Sequence, residues 1–267
     1  MPQDVPISDQ RPPLRRRSEL RAALQPQAGA GEPQWDDVQI CLVAGPKDHG
    51  PQEHDYPWWQ AQWERLLHSA PGVVVSTAHR WPSQEQLAAA DVIVLYFWNH
   101  DWSEEQYAGL DAQLARGGGV VAIHSAIVED RDPQKLAERF GLAGRRPELQ
   151  FRHGPLKLEI ADDADAGFAH GLTRLNLVDE TYWALTGDPA GVDVVAQAHE
   201  SGQACPMTWT HRVHEGRVFC SVNGHYTWTF EDPLYRLLLL RGMAWAAGQP
   251  TVRWESLAGE GVEFAPE

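Results

Sequence analysis

Residues able to do chemistry recur at one kind of place in this sequence, just beyond apolar runs. His49 and His54 lie in Lys47-Asp48-His49-Gly50-Pro51-Gln52-Glu53-His54-Asp55. His100 and Asp101 stand in Phe97-Trp98-Asn99-His100-Asp101-Trp102, His124 and Ser125 follow Val121-Ala122-Ile123, and His225 follows Val222-Asn223-Gly224. Neutral imidazole binds zinc and similar ions, and it also shuttles protons near neutral pH. Two chemistries are therefore open: a bound divalent metal, or histidines acting as acids, bases and hydrogen-bond donors without one. His49 and His54 sit in a Gly-Pro loop and chelate jointly only if that loop folds back; they form no HExxH helix. His68 and His79 read as surface residues, and His199, His211 and His214 as polar positions on late strands.

Carboxylates and aromatic rings supply the second ingredient. Asp179 and Glu180 precede Thr181-Tyr182-Trp183. Such a pair is either a general base beside a sugar-stacking ring or an exposed loop acid. Glu53, Asp55 and Asp101 are further carboxylate candidates. Trp98, Trp102, Trp183, Trp209 and Trp228 lie near the same strand ends as the histidines, whereas Trp59, Trp63 and Trp245 fit helix faces in the core.

The elements that must position these groups follow from periodicity. Residues 38–44, 73–77, 92–97 and 120–123 are apolar runs suited to buried strands. Between them, 56–69 carries Trp59, Trp63, Leu66 and Leu67 at helical spacing. Ser83 with Gln86, and Ser103 with Gln106, are capping boxes that open two further helices, the second ending at Gly117-Gly118-Gly119. Four strand–helix alternations imply a parallel, doubly wound α/β sheet, whose ligands bind beyond the carboxyl ends of its strands. After about residue 149 the pattern shifts to strands at 156–160, 192–198, 206–213 and 218–222, closed by a helix over 232–247. The expected organisation is a flexible N-terminal tail over 1–34 with a short helix near 18–24, an α/β domain over 35–250, and a C-terminal tail over 251–267.

Composition excludes partners. With 37 acids against 22 bases the net charge is −15, which disfavours nucleic acid and anionic membranes. No apolar run approaches the ~20 residues of a membrane helix. No apolar h-region follows Met1, so a cleavable signal peptide is not expected and a cytoplasmic location is. Three cysteines without CxxC spacing argue against a disulfide framework or a thiolate zinc site, leaving histidines and carboxylates to hold any metal.

At Gly117-Gly118-Gly119-Val120-Val121-Ala122-Ile123-His124-Ser125-Ala126 the chain resembles the ThuA-like (trehalose utilisation) family, which has a class I glutamine-amidotransferase-like fold. Asp179-Glu180-Thr181-Tyr182, Pro206-Met207-Thr208-Trp209-Thr210-His211, the stretch from Gly216 to His225, and Arg241-Gly242-Met243-Ala244-Trp245 support the likeness over about 38–248. Cys205 departs from it, standing where the family often has histidine, while the His49–His54 loop and the segment Phe151-Arg152-His153-Gly154-Pro155 look like subgroup features that add histidines near the site.

The resemblance implies a doubly wound, mainly parallel sheet with extra strands in its second half, and a protein that handles disaccharides and their keto-sugar forms. Amidotransferase activity is not expected, because His124-Ser125 occupies the turn where such enzymes carry a cysteine nucleophile. The implied enzyme is an isomerase, lyase or hydrolase with His124, Glu180 and His225 as catalytic groups. Asp101, Ser125, His153, Asp179, Tyr182 and Trp209 would contact substrate, and His49 and His54 a metal, zinc first; no nucleotide cofactor is expected. A small-molecule sugar is the expected partner, and a homo-oligomer stays open. The alternative is a non-catalytic carbohydrate-binding protein on the same fold.

Overall fold

A computed structural model describes residues 11–24, 36–99 and 101–267. The first half alternates strand and helix as expected. α1 (Arg17–Ala23) is followed by β1 (Val38–Ala44), α2 (Tyr56–His68), β2 (Val73–His79), α3 (Gln84–Ala89), β3 (Val92–Tyr96), α4 (Glu104–Ala115) and β4 (Gly119–Ile123). β3 and β4 are buried at every position, which is why they read as unbroken apolar runs. Both capping boxes form: Gln86 N–H donates to Ser83 Oγ, and Gln106 N–H to Ser103 Oγ, each at 3.2 Å. α2 carries Pro57 in its first turn and buries Trp59, Trp63 and Leu67; Asp55, a candidate carboxylate in the sequence, caps it by accepting from Trp58 N–H at 3.2 Å.

The second half runs α5 (Pro133–Phe140), β5 (Leu142–Ala143), β6 (Gln150–Ile160), α6 (Ala166–Ala169), β7 (Arg174–Trp183), β8 (Thr186–Gly187), β9 (Asp193–Glu200), β10 (Gln203–Val213), β11 (Gly216–Ser221) and α7 (Pro233–Ala246). β5 and β8 pair by themselves, and the other nine strands form one sheet in the order β2-β1-β3-β4-β11-β10-β9-β6-β7. The five strands from β2 to β11 are parallel, and the remaining four are antiparallel. This is the mixed α/β architecture anticipated, a doubly wound parallel core with added strands.

The added strands do not simply extend the sheet outward. β7, its edge strand, returns to lie against the segment that follows β11. Asp179 on β7 accepts from the N–H groups of Gly224 at 2.8 Å and His225 at 3.0 Å, and Trp228 Nε1–H donates to the Val178 carbonyl at 2.8 Å. The antiparallel half therefore curls over the carboxyl end of the parallel half.

Both chain ends of the described region are docked. α1 buries Leu20 and Ala23, and Arg15 pairs with Asp232 at 2.7 Å; the remainder of the expected 1–34 tail, residues 1–10 and 25–34, lies outside the described residues. The expected C-terminal tail over 251–267 is different from a tail. Residues 251–259 form a 3₁₀ helix that buries Trp254, Glu255 and Leu257, because Arg241 within α7 requires a buried counter-charge and Glu255 supplies it. Among the described residues, no helix is long and apolar enough to cross a membrane.

Candidate functional site

Three imidazoles and one carboxylate converge where the two halves meet. His124 ends β4 on a turn whose backbone is left-handed, with φ +54°. Such a conformation costs a non-glycine residue roughly 1 to 3 kcal/mol, so the surrounding structure over-determines it. His225 follows Gly224, whose φ is +128° and where a Cβ would meet Phe230 Cζ at 2.9 Å and Ile123 Cγ2 at 3.0 Å. Only glycine fits that turn. His54 is held by the loop after β1, its N–H donating to the His225 carbonyl at 2.9 Å. Glu180 and Tyr182, two apart on β7, point to the same side.

The distances are short and mutually crowded. His124 Nε2 lies 2.9 Å from His54 Nε2, 3.2 Å from His225 Nδ1 and 3.2 Å from Glu180 Oε2. Glu180 Oε2 is also 2.9 Å from His225 Nδ1. Tyr182 O–H donates to Glu180 Oε2 at 3.1 Å, and its ring stacks on His124 at 4.9 Å. All four groups are buried, with Glu180 only 5% exposed and His225 2%.

The backs of two rings fix their tautomers. His54 Nδ1–H donates to Asp48 Oδ1 at 2.7 Å, and His124 Nδ1–H to the Val222 carbonyl at 2.7 Å. Both partners only accept, so each neutral ring spends its proton outward and the two Nε2 lone pairs face each other. Something positive must lie between them, either a proton or a metal ion. A tetrahedral zinc with bonds of about 2.0 Å holds its ligand atoms about 3.3 Å apart, close to the four separations above. His54, His124, His225 and Glu180 thus fit a divalent ion, all four donor atoms lying within 4.8 Å of one another. The Asp48–His54 pair matches the carboxylate–histidine arrangement that backs many metal ligands.

Burial and proximity set the charges when no cation intervenes. Burial penalises the Glu180 carboxylate, but the hydrogen bonds from His124 and His225 outweigh it and hold its pKa well below the usual range. Burial likewise opposes charge on His124, yet Glu180 and Asp179 raise its pKa. His54 goes the other way: burial and the neighbouring imidazoles push it down to about 3, so it stays neutral. Tyr182 is pushed well up, chiefly by burial and the Glu180 charge, and remains a protonated donor.

The structure therefore brings together the expected catalytic groups His124, Glu180 and His225, and adds His54 to them. His153 joins at the rim, its Nε2 3.5 Å from Glu180 Oε1. Ser125 is buried behind the cluster and accepts from Tyr56 O–H at 3.0 Å while donating to the Phe97 carbonyl. Asp179 clamps the backbone of residues 224–225 and presents no oxygen outward. His49, expected as a metal ligand with His54, is exposed; with His54 and Asp48 it forms a second group of donor atoms within 4.8 Å of one another at the mouth, and its ring lies 4.9 Å from that of Trp98. One expectation fails: Trp209 is fully buried and donates to the Phe140 carbonyl at 2.7 Å, which makes it core. Asp101 is exposed and pairs with Arg131 at 2.6 Å. His100 lies outside the described residues. Trp102 is also core, while Trp98 comes within 5.3 Å of the His54 ring and Trp228 stacks on Tyr226 at 4.1 Å. Asp48 and Tyr56 were missed as site residues, although Asp48 stands one residue before His49 in the loop that was singled out.

A family profile described as ThuA, trehalose utilisation, matches residues 50–246. No curated protein matches the sequence. Among solved structures the chain is similar to a ThuA-like protein from Parabacteroides merdae, with 20% identity and a TM-score of 0.64, over 81% of this chain and 92% of that one. It is similar to a second ThuA-like protein, from Bacteroides uniformis, with 17% identity and a TM-score of 0.65, over 85% and 100%. A β-galactosidase from Bacillus circulans sp. alkalophilus matches 80% of this chain with 32% of its own, at 11% identity and a TM-score of 0.55. At such identities the structural likeness is one of fold.

Proposed function

The chain belongs to the ThuA, trehalose-utilisation, family, and from that premise we propose that it is a sugar-metabolism enzyme acting on a disaccharide or its keto-sugar derivative by metal- or histidine-assisted proton transfer. One observation carries the reading: the His54 and His124 Nε2 atoms, 2.9 Å apart with both protons committed elsewhere, beside a buried carboxylate. A fold does not need such a grouping, and its burial is costly unless a cation or a substrate completes it.

His54, His124, His225 and Glu180 would hold a divalent ion, and a nitrogen-rich donor set without thiolate suits zinc. When bound, it would supply positive charge beside a substrate oxygen and stabilise negative charge developing there. The chain's own groups handle the proton. Glu180 keeps Oε2 toward the imidazoles and turns Oε1 toward His153, which is partly exposed and gives the proton a route to solvent. Tyr182 donates to Glu180 and orients it, while Asp179 holds β7 to the turn carrying His225. At the mouth, the Trp98 and His49 rings lie 4.9 Å apart with Arg146 over the Trp98 ring, an aromatic and cationic wall suited to a sugar. A proton abstracted next to a carbonyl suits isomerisation or elimination from a keto-sugar.

The test is elemental analysis of purified protein, followed by a turnover screen over oxidised and unoxidised disaccharides with and without added divalent ions. Turnover of a keto-disaccharide that is lost in Glu180→Gln is expected. Sugar affinity without turnover in the wild type favours the non-catalytic binding reading, and activity that survives a chelator with no metal present removes the metal-assisted form.

A further inference from the structure

The site has an imbalance behind its third imidazole. His54 is backed by Asp48 and His124 by the Val222 carbonyl, so each has a group that takes its outer proton. His225 turns Nδ1 inward, 2.9 Å from Glu180 Oε2, and its outer Nε2 is buried with no hydrogen-bond partner. A buried unpaired ring nitrogen is costly, and Glu53 Oε1 stands 3.7 Å from it.

Glu53 is not there by chance of a mobile side chain. Its other oxygen, Oε2, accepts from Gly50 N–H at 2.8 Å. Its backbone forms a β-bridge to Tyr226, the residue after His225, and Thr227 N–H donates to the Gln52 carbonyl at 2.9 Å. Lys47 Nζ donates to the carbonyls of Gly50 and Glu53, each at 2.7 Å, pinning the loop from within. Within it His49, Gln52 and His54 all have left-handed backbones, so the loop is held in a shape its residues do not favour.

We propose that Glu53 accepts the Nε2–H of His225 and thereby commits Nδ1 to donate its lone pair to a divalent cation, so that one loop, residues 48–54, orients two of the three imidazoles. The inference rests on the metal reading above. A carboxylate can only accept, so it selects the tautomer with the proton on Nε2 and a free pair on Nδ1. Glu53 is then a positioning residue, the counterpart for His225 of what Asp48 is for His54.

The experiment compares zinc affinity, by competition with a chelator, in wild type, Glu53→Gln and Glu53→Ala. In Glu53→Gln the amide oxygen keeps the Gly50 contact while its NH₂ faces His225 Nε2 and selects the opposite tautomer. Zinc affinity is expected to fall about 10- to 100-fold. Glu53→Ala opens space for water to accept the Nε2 proton, and its loss is expected to be smaller. A loop-clamping role alone gives the reverse order, with alanine worse than glutamine, and that order overturns the proposal. Ring ¹⁵N shifts of His225 in zinc-loaded wild type provide a check that needs no variant: a protonated Nε2 supports the assignment, and a protonated Nδ1 overturns it. Wild type that takes up neither zinc nor cobalt overturns both readings, whereas tight zinc binding unchanged in Glu53→Gln overturns only this one.

Discussion

Two buried charge clusters in this protein are built to opposite standards. Arg241, 0% exposed, donates through Nε to Glu255 at 2.8 Å, through Nη1 to the Phe168 and His170 carbonyls, and through Nη2 to the Ala23 carbonyl at 2.9 Å. Its demand is met by α1, the end of α6 and the 251–259 helix together, so this cluster fastens α1 and the 251–259 helix to α7. The His54–His124–His225–Glu180 cluster is equally buried but crowds four donor and acceptor atoms together and leaves His225 Nε2 without a partner. The first cluster is satisfied within the chain; the second is not, which is the contrast expected if it serves the chemistry proposed above.

Breaking the second cluster has the largest expected effect, and on function. His124→Asn is the suitable variant, because asparagine tolerates the left-handed backbone there. Bound metal should be lost, and turnover should fall about 100- to 10,000-fold, with little change in the urea midpoint when both proteins are unfolded in the presence of a chelator. Equal losses of activity and stability would erase the distinction between the clusters. Arg241→Ala should do the opposite. It removes the cationic half of the buried pair with Glu255 and should cost about 3 to 5 kcal/mol in urea unfolding, while the folded fraction keeps its metal content and KM.

A smaller effect tests a residue placed in the wrong cluster by its sequence. Trp209 reads as a pocket wall, but its indole is sealed beneath α5 and donates to Phe140. Trp209→Phe should leave the buried Phe140 carbonyl only the weak Cys220 S–H donor at 3.7 Å and cost about 1 to 3 kcal/mol, with sugar affinity unchanged. A raised KM at unchanged stability would return Trp209 to the site.

The reason for that misplacement is physical. The pairing of β10 with β9 shifts register between Pro206 and Thr208 and again between Thr208 and Trp209, so the two-residue alternation that assigns a strand's faces breaks at this point. The parallel half had no such breaks. Its apolar runs located β1 to β4, and the rule that doubly wound sheets bind at carboxyl ends located His54, His124 and His225. Glu180 and Tyr182 stood out as a carboxylate beside aromatic rings and again through the family resemblance, yet their position opposite His124 depends on the antiparallel half curling back, which no local pattern encodes. Asp48 and Tyr56 escaped for a related cause: one looked like loop filler and the other like the start of an amphipathic helix, and their roles appear only once Asp48 backs His54 and the Tyr56 hydroxyl lies between His54 and Ser125.

The smallest expected effect is on pH dependence, and its sign follows from His54. Burial and the surrounding imidazoles lower its pKa to about 3, from the 6.5 it regains on unfolding. Between pH 6.5 and 3 the unfolded chain binds a proton that the folded chain refuses, so stability falls as pH drops through that window. A single such group contributes at most about 1.4 kcal/mol per pH unit. Arg241 carries its charge throughout, so the structural cluster adds no comparable arginine contribution there. Urea unfolding at pH 6.5 and 5.5, in the presence of a chelator, should give a steeper acid loss in wild type than in His54→Gln. Identical slopes would mean that His54 takes up its proton in the folded state as readily as in the unfolded one, and the facing lone pairs of His54 and His124 would then be bridged by that proton without any need for a metal.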